Sequence, residues 1–266
     1  MPGVRTLGID LSASPKKTAA CLIEWDGTVS VDTPLLGLED ADLLYLMGQA
    51  DWVGIDAPFG WPMDFLDAVM SWSESGAWPD TERSHLRYRE TDRFVQRVAR
   101  LPLSVSSDRI AVTAMRCASL LSALGEQRAG TAGRIDRAGG DQVVEVYPGA
   151  ALPLWSDEAA DVRLDPQGYK GSGATKRREA LVEVLLRAAP WLTLDEPTRA
   201  LCVASDDALD ALLSSLVARA AALRLTMKPQ TMEQAGRSEV EGWIHVPELG
   251  SLGALPNEAE PVVLPR

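Results

Sequence analysis

Histidine is scarce in this 266-residue chain, with only His85 and His245, and cysteine occurs three times, at Cys21, Cys117 and Cys202. A mechanism that needs an imidazole base has little to draw on, and both histidines read as structural or surface residues. The three cysteines stand far apart in apolar segments, which is neither a disulfide framework nor a zinc-ligand spacing. They are expected to be reduced, buried thiols of a cytoplasmic protein. Long apolar runs are missing as well. No stretch reaches the ~18 residues of a membrane span, so no membrane partner is expected, and Met1-Pro2-Gly3-Val4-Arg5 lacks the charged-then-apolar layout of a signal peptide. Positive charge is in deficit: 26 Lys and Arg against 38 Asp and Glu give a net −12. Such a chain repels nucleic acid unless its cations are gathered locally.

What remains is an ordinary globular composition, 46% hydrophobic and 24% charged, which excludes wholesale disorder and collagen-like repeats. Val4 to Asp10 is a short apolar run ending in Gly8-Ile9-Asp10, followed by a polar turn over residues 12–17. Residues 18–25 form a second β-type run, Asp26-Gly27 is a tight hairpin signal, and residues 28–32 read as the next strand. Leu43, Leu44, Leu46 and Met47 recur at helical spacing within residues 40–50, and Trp52 to Asp56 closes a buried strand with a second Gly54-Ile55-Asp56. This order predicts an antiparallel meander continued by a crossover to a parallel strand. Helical patterns follow over residues 63–72, 83–100 and 109–124, then a short β run at Val143-Val144-Glu145-Val146, helices over 176–189 and 205–225, and a last strand near Trp243 to Val246. The expectation is one α/β domain over residues 1–247 with a helical insertion at about 62–140, and an extended or partly disordered tail over 248–266.

The chemistry-bearing residues are mostly acids. Asp10 and Asp56 each end an apolar strand and precede small or proline residues. Groups just past the carboxyl ends of strands in an open α/β sheet converge on the ligand crevice. Two such carboxylates on adjacent strands repel unless a cation compensates, although each can also simply start a turn. Ser205-Asp206-Asp207-Ala208-Leu209-Asp210 opens a helix whose buried stripe is Leu209, Leu212, Leu213, Leu216, Ala220 and Leu223. Ser205 is a good N-cap, and first-turn acids suit the helix dipole, which accounts for Asp206 and Asp207. Asp210 lies a turn further in, beside the apolar stripe, where that account is weaker. Glu145 sits among valines, so it either faces water or is held inward by a cation or an arginine.

Cations appear in two places. Arg89, Arg93, Arg97 and Arg100 follow i, i+4, i+8, i+11 spacing, one basic face if the segment is a single helix. Lys170, Lys176, Arg177 and Arg178 flank Gly171-Ser172-Gly173, but Lys176 follows Thr175 rather than preceding it, so the phosphate-loop pattern fails. Trp61, Trp72, Trp78 and Trp155 read as packing residues before stacking platforms.

Gly8-Ile9-Asp10 before a hairpin, Ile55-Asp56-Ala57-Pro58, Arg89-Glu90-Thr91-Asp92-Arg93, Glu145-Val146-Tyr147-Pro148, Asp206-Asp207-Ala208-Leu209-Asp210-Ala211 and Glu241-Gly242-Trp243-Ile244 occur in this order. The set resembles the successive motifs of the domain-of-unknown-function-429 family, whose members are described as predicted nucleases with a ribonuclease H-like fold. The resemblance implies a five-stranded mixed sheet, three strands antiparallel and two parallel, flanked by helices. It implies Asp10, Asp56 and Asp210 as catalytic, metal-binding residues, with Glu145 and Asp207 as supplementary acids for Mg²⁺ or Mn²⁺. Arg89, Arg93, Arg97 and Lys176 are then candidate contacts to a nucleic acid or nucleotide substrate. Carboxylates suit hard cations, and a two-metal site hydrolyses phosphodiesters without histidine. Two other readings compete: an actin-like nucleotide phosphotransferase or ATPase, which usually carries a second copy of the fold, and a non-catalytic module that binds a nucleotide or a protein.

Overall fold

The computed structural model describes residues 3–129, 133–156, 162–165 and 167–257. The alternation of apolar and small residues at the start of the chain produces β1 (Val4–Asp10), which turns through a 3-10 segment (Pro15–Lys17) into β2 (Ala19–Trp25). Gly27, at φ +87°, makes the tight turn to β3 (Val29–Val31). The short β4 (Leu35–Leu36) leads to α1 (Asp40–Met47) and β5 (Trp52–Asp56). Four helices follow: α2 (Met63–Ser75), α3 (Arg83–Arg87), α4 (Glu90–Val98) and α5 (Asp108–Ala129). The chain continues through β6 (Val143–Val146), α6 (Pro148–Leu154), α7 (Thr175–Ala188), α8 (Glu196–Ala204), α9 (Asp206–Ala222), α10 (Met232–Glu241) and β7 (Ile244–His245). Among the described residues no helix is long and apolar enough to cross a membrane.

The strands form one mixed sheet in the order β3-β2-β1-β5-β6-β7, with β4 also pairing with β2. β1, β2 and β3 are antiparallel, and β5, β6 and β7 continue parallel from β1. The expected five strands are all present, but the count is corrected to seven. Of the two further strands, β7 lies within the run at Trp243 to Val246 read as a last strand, whereas β4, two residues long, is too short for a period-2 pattern to register. A second correction concerns residues 83–100, expected as one helix. Extended backbone at Tyr88 and Arg89 breaks it into α3 and α4, and the Arg89 amide donates to Asp92 Oδ2 at 2.9 Å, which caps the restart. The beginning of the expected tail is packed. Leu252 and Leu255, around the 3-10 turn Ser251–Ala254, lie in the core, while residues 258–266 lie outside the described residues.

Two apolar layers cover the sheet. Leu7, Ile9, Val53 and Ile55 face α1 and α5, while Cys21, Ile23, Val144 and Val146 face α9 and the helices around it. All three cysteines are buried free thiols. Helix α9 is buried almost all round, which explains why Leu209, Leu212, Leu213 and Leu216 are joined in the interior by Ala211, Ser214, Ser215 and Ala218. The small residues face the sheet, and the glycines of the repeated Gly-Ile-Asp let the helix approach. A Cβ on Gly8 would come within 2.1 Å of the backbone at Ala211 and Ser215, and one on Gly54 within 2.6 Å of the Ser214 carbonyl. Thr6 and Ser215 hydroxyls meet at 2.8 Å in the same seam. Gly8→Ala is therefore expected to destabilise the protein by about 1–3 kcal/mol or more through forced overpacking, read as a lower urea midpoint. An unchanged midpoint would contradict this packing.

Candidate functional site

The repeated tripeptide also aims the acids. Side chains alternate across a strand, so Ile9 and Ile55 enter the α5-facing core while Asp10 and Asp56 emerge on the same face as Gly8 and Gly54, toward α9. β1 and β5 are parallel and in register, with Asp10 directly beside Asp56. The N-terminal turn of α9 crosses there. Ser205 caps it, accepting the Ala208 amide at 3.3 Å, and Asp210 projects one turn in. One carboxylate oxygen from each of Asp10, Asp56 and Asp210 lies within 4.8 Å of the others, the one such acid group among the described residues. Residues 10, 56 and 210 thus converge because two glycines admit the helix that carries the third.

Three carboxylates this close resist ionising together. Burial, reinforced by the charges of Asp210 and Asp56, pushes Asp10 well above the usual carboxylate range. Burial pushes Asp56 up to about 7, with Lys170 opposing and Asp210 and Glu145 adding to the rise. Asp210 is 1% exposed; Tyr169 donates its hydroxyl to Oδ1 at 2.6 Å, and the Lys170 ammonium lies 2.5 Å from Oδ2. No hydrogen bond of good geometry reaches that buried Oδ2. An all-oxygen donor set suits a hard divalent cation, and these three residues could hold one where the Lys170 ammonium now meets Asp210. Asp207, half-buried, is outside the group; burial and Asp206 raise its carboxyl. Asp206 instead accepts the Gly171 amide at 3.0 Å.

Tyr169 and Lys170 are the residues that sequence reading missed as neighbours of the acids. The buried Arg178 holds their loop, donating to the carbonyls of Tyr169 and Gly171 at 2.7 Å each and to Val203 at 2.8 Å. An arginine in the Lys176-Arg177-Arg178 run of an amphipathic helix carries no signal of that role. Lys176, two residues earlier, is exposed on the first turn of α7 and does not line the cavity beside the acids.

The expected basic face does not form. Arg89, 2% exposed, turns inward at the break between α3 and α4. Its guanidinium grips Glu145 with two bonds, Nη2 to Oε1 at 2.7 Å and Nη1 to Oε2 at 2.8 Å, and Asp92 with Nη2 to Oδ1 at 2.8 Å and Nε to Oδ2 at 3.2 Å. Glu145 also accepts the Phe59 amide at 2.9 Å. It is buried and held by an arginine, outside the three-acid group, because its β6 position pairs with Ile55 and so points away from Asp56. Glu241 lies in the same hub and accepts the amides that open α2 and α4, Met63 to Oε1 at 2.9 Å and Glu90 to Oε2 at 2.7 Å. Arg93 bonds Glu90 at 2.8 Å, and Arg97 stands 3.7 Å from the same carboxylate. Thus Arg89 and Arg93 are paired within the protein, Arg97 is exposed beside Glu90, and Arg100 reaches a cavity.

That cavity, about 630 Å³, opens beside Asp56. Tyr147, Gly149, Tyr169 and Lys170 form part of its wall, Arg89 and Glu145 its buried floor, and Arg100 and Arg109 its cationic rim. His245 does not line it and is held between Thr226 and the Ala138 carbonyl, and Trp155 is in the core while Trp72 and Trp78 are exposed on the insertion.

No curated protein and no solved structure matches the chain. The model of the family described as Protein of unknown function (DUF429) matches residues 8–230, a span that contains all three converging acids, and the chain belongs to that family.

Proposed function

We propose that this protein is a ribonuclease H-like, divalent-cation-dependent phosphodiesterase, with Asp10, Asp56 and Asp210 as its catalytic metal ligands. The observation that carries the proposal is the convergence of three carboxylates, from residues 10, 56 and 210, at the carboxyl ends of two parallel-paired strands. The antiparallel β3-β2-β1 run extended by parallel β5 and β6, in one domain with α2–α5 inserted, supports the ribonuclease H-like reading. Mg²⁺ or Mn²⁺ bound there would neutralise charge on the phosphodiester and its leaving oxygen. Tyr169 orients Asp210, Lys170 offsets part of the acids' charge at the cavity wall, and the hub of Arg89 and Glu145 fixes the floor beneath. Hydrolysis of labelled single strands, duplexes and junctions with Mn²⁺ tests the proposal. Cleavage abolished by a chelator supports it; ATP turnover without strand cleavage transfers the site to a phosphotransferase, and neither activity leaves the protein a binding module.

Metal affinity is expected to depend on pH. Asp56, raised to about 7, is protonated below neutrality and must lose that proton to ligate. At about pH 5.5 this costs about 2 kcal/mol, a thirtyfold loss of affinity relative to about pH 8. Calorimetric titration with Mn²⁺ at the two pH values checks it, and equal affinities would remove Asp56 from the ligand set.

A further inference from the structure

We infer that the cavity beside the acids is a binding site for a small nucleotide phosphodiester, of one or two nucleotides. The inference rests on the phosphodiesterase reading and specifies its substrate. Two independent observations lead to it. The first is the break-up of the cationic track: of the arginines that sequence spacing aligned, Arg89 is buried against Asp92 and Glu145 and Arg93 is bonded to Glu90, while Arg97 is exposed, 3.7 Å from that same carboxylate. With a net charge of −12, a long polyanion lying across the surface meets repulsion with few compensating phosphate contacts. The second is where uncommitted positive charge does occur. Arg100 and Arg109 are exposed, have no ion-pair or side-chain hydrogen-bond partner among the described residues, and both line the cavity that opens beside Asp56.

The cavity's size and lining match such a ligand. About 630 Å³ falls within the range of small-ligand sites, ~300–1,000 Å³. A duplex needs an open face several base pairs long. Arg100 lies just after α4 and Arg109 in the first turn of α5, and a guanidinium suits bidentate contact with phosphate. Tyr147, half-buried on the cavity wall, offers a ring on which a base can stack, and Gly149 leaves that ring room: a Cβ there would lie 3.2 Å from Tyr147 Cε2. Leu101, Pro102, Leu103 and Ile110 add an apolar rim for a base or sugar. A phosphodiester held between the arginines and the acids has its scissile bond placed at Asp56, with the base away from the carboxylates.

The test separates this site from the reaction proposed for it. Binding of the dinucleotide thymidylyl-thymidine is measured by calorimetry with Mg²⁺ present, for the wild-type protein, Arg100→Ala and Arg109→Ala. Turnover of bis(p-nitrophenyl) phosphate by the wild-type protein with Mn²⁺ is measured alongside. Loss of one charged hydrogen-bonding partner is expected to weaken dinucleotide binding about tenfold in each variant, with melting temperatures unchanged because both side chains are exposed. Dinucleotide binding that is absent, or equal in wild type and both variants, overturns the inference even where bis(p-nitrophenyl) phosphate is hydrolysed. Binding that weakens as expected without any turnover keeps the cavity as a nucleotide site and removes the reaction. A duplex bound more tightly than the dinucleotide, with no effect of either variant, also counts against the small-substrate site.

Discussion

Arg89→Met is expected to lower the unfolding free energy by about 3–5 kcal/mol, because the substitution leaves two buried carboxylates, Asp92 and Glu145, without their cation. Burial disfavours the Arg89 charge, but Asp92 and Glu145 more than offset that and hold the guanidinium above its ordinary pKa. The same side chain donates to the Glu241 carbonyl at 3.1 Å, while the Glu241 carboxylate accepts the first amides of α2 and α4. Loss of Arg89 therefore loosens the floor of the cavity and the attachment of the helical insertion together. Arg89→Lys is expected to recover only part of the loss, since an ammonium cannot reproduce the two-pronged contact with Glu145. Denaturant titration of the three proteins checks both statements; a methionine variant within about 1 kcal/mol of wild type would show that the hub contributes little net stability.

The largest expected effect on activity is that of Asp210→Asn. Removing a charged ligand forfeits several kcal/mol of transition-state stabilisation, so kcat/KM for metal-dependent hydrolysis falls by about 10²–10³-fold or more. The fold is retained, because an asparagine oxygen still accepts from Tyr169, whose hydroxyl lies 2.6 Å from Oδ1. Relief of repulsion works in the opposite direction to catalysis. An unfolded Asp56 ionises near pH 4, whereas the folded one holds its proton up to about 7, so the folded state loses stability as pH rises between those values and gains none back above them. With one fewer negative charge beside it, Asp56 ionises more easily, and the metal-free variant is expected to melt at or above the wild-type temperature at about pH 8. Full retention of metal-dependent turnover by Asp210→Asn and Asp10→Asn together would end the proposed mechanism.

Much of the frame is legible in the residue order. Gly27 marks the β2–β3 hairpin, the apolar run at Trp52 to Asp56 is a buried strand, and Ser205 followed by Leu209 and Leu212 announces the helix and its cap. These signals are local: a period, a turn residue or a cap depends on a few neighbours in the chain. Arg89 to Arg100 show where local reading fails. Their spacing fits one helix face, but Glu145, 56 positions from Arg89, pairs with its guanidinium, and the helix breaks at Tyr88 and Arg89. Likewise Tyr169 and Lys170 carry no pattern of their own; Arg178 holds their loop against Asp210.

The sequence by itself determined which residues are acidic at strand ends and helix starts, and that glycine precedes two of them at a fixed offset of two. That offset dictates that glycine and aspartate share one face of each strand. Only the tertiary structure decided that β1 and β5 are neighbours in register and that α9 lies on the glycines, which turns three separate acids into one group within 4.8 Å. It also decided which cations are spent in the interior and which face the cavity, since long-range electrostatic pairing depends on distance in space, and the sequence fixes only distance along the chain.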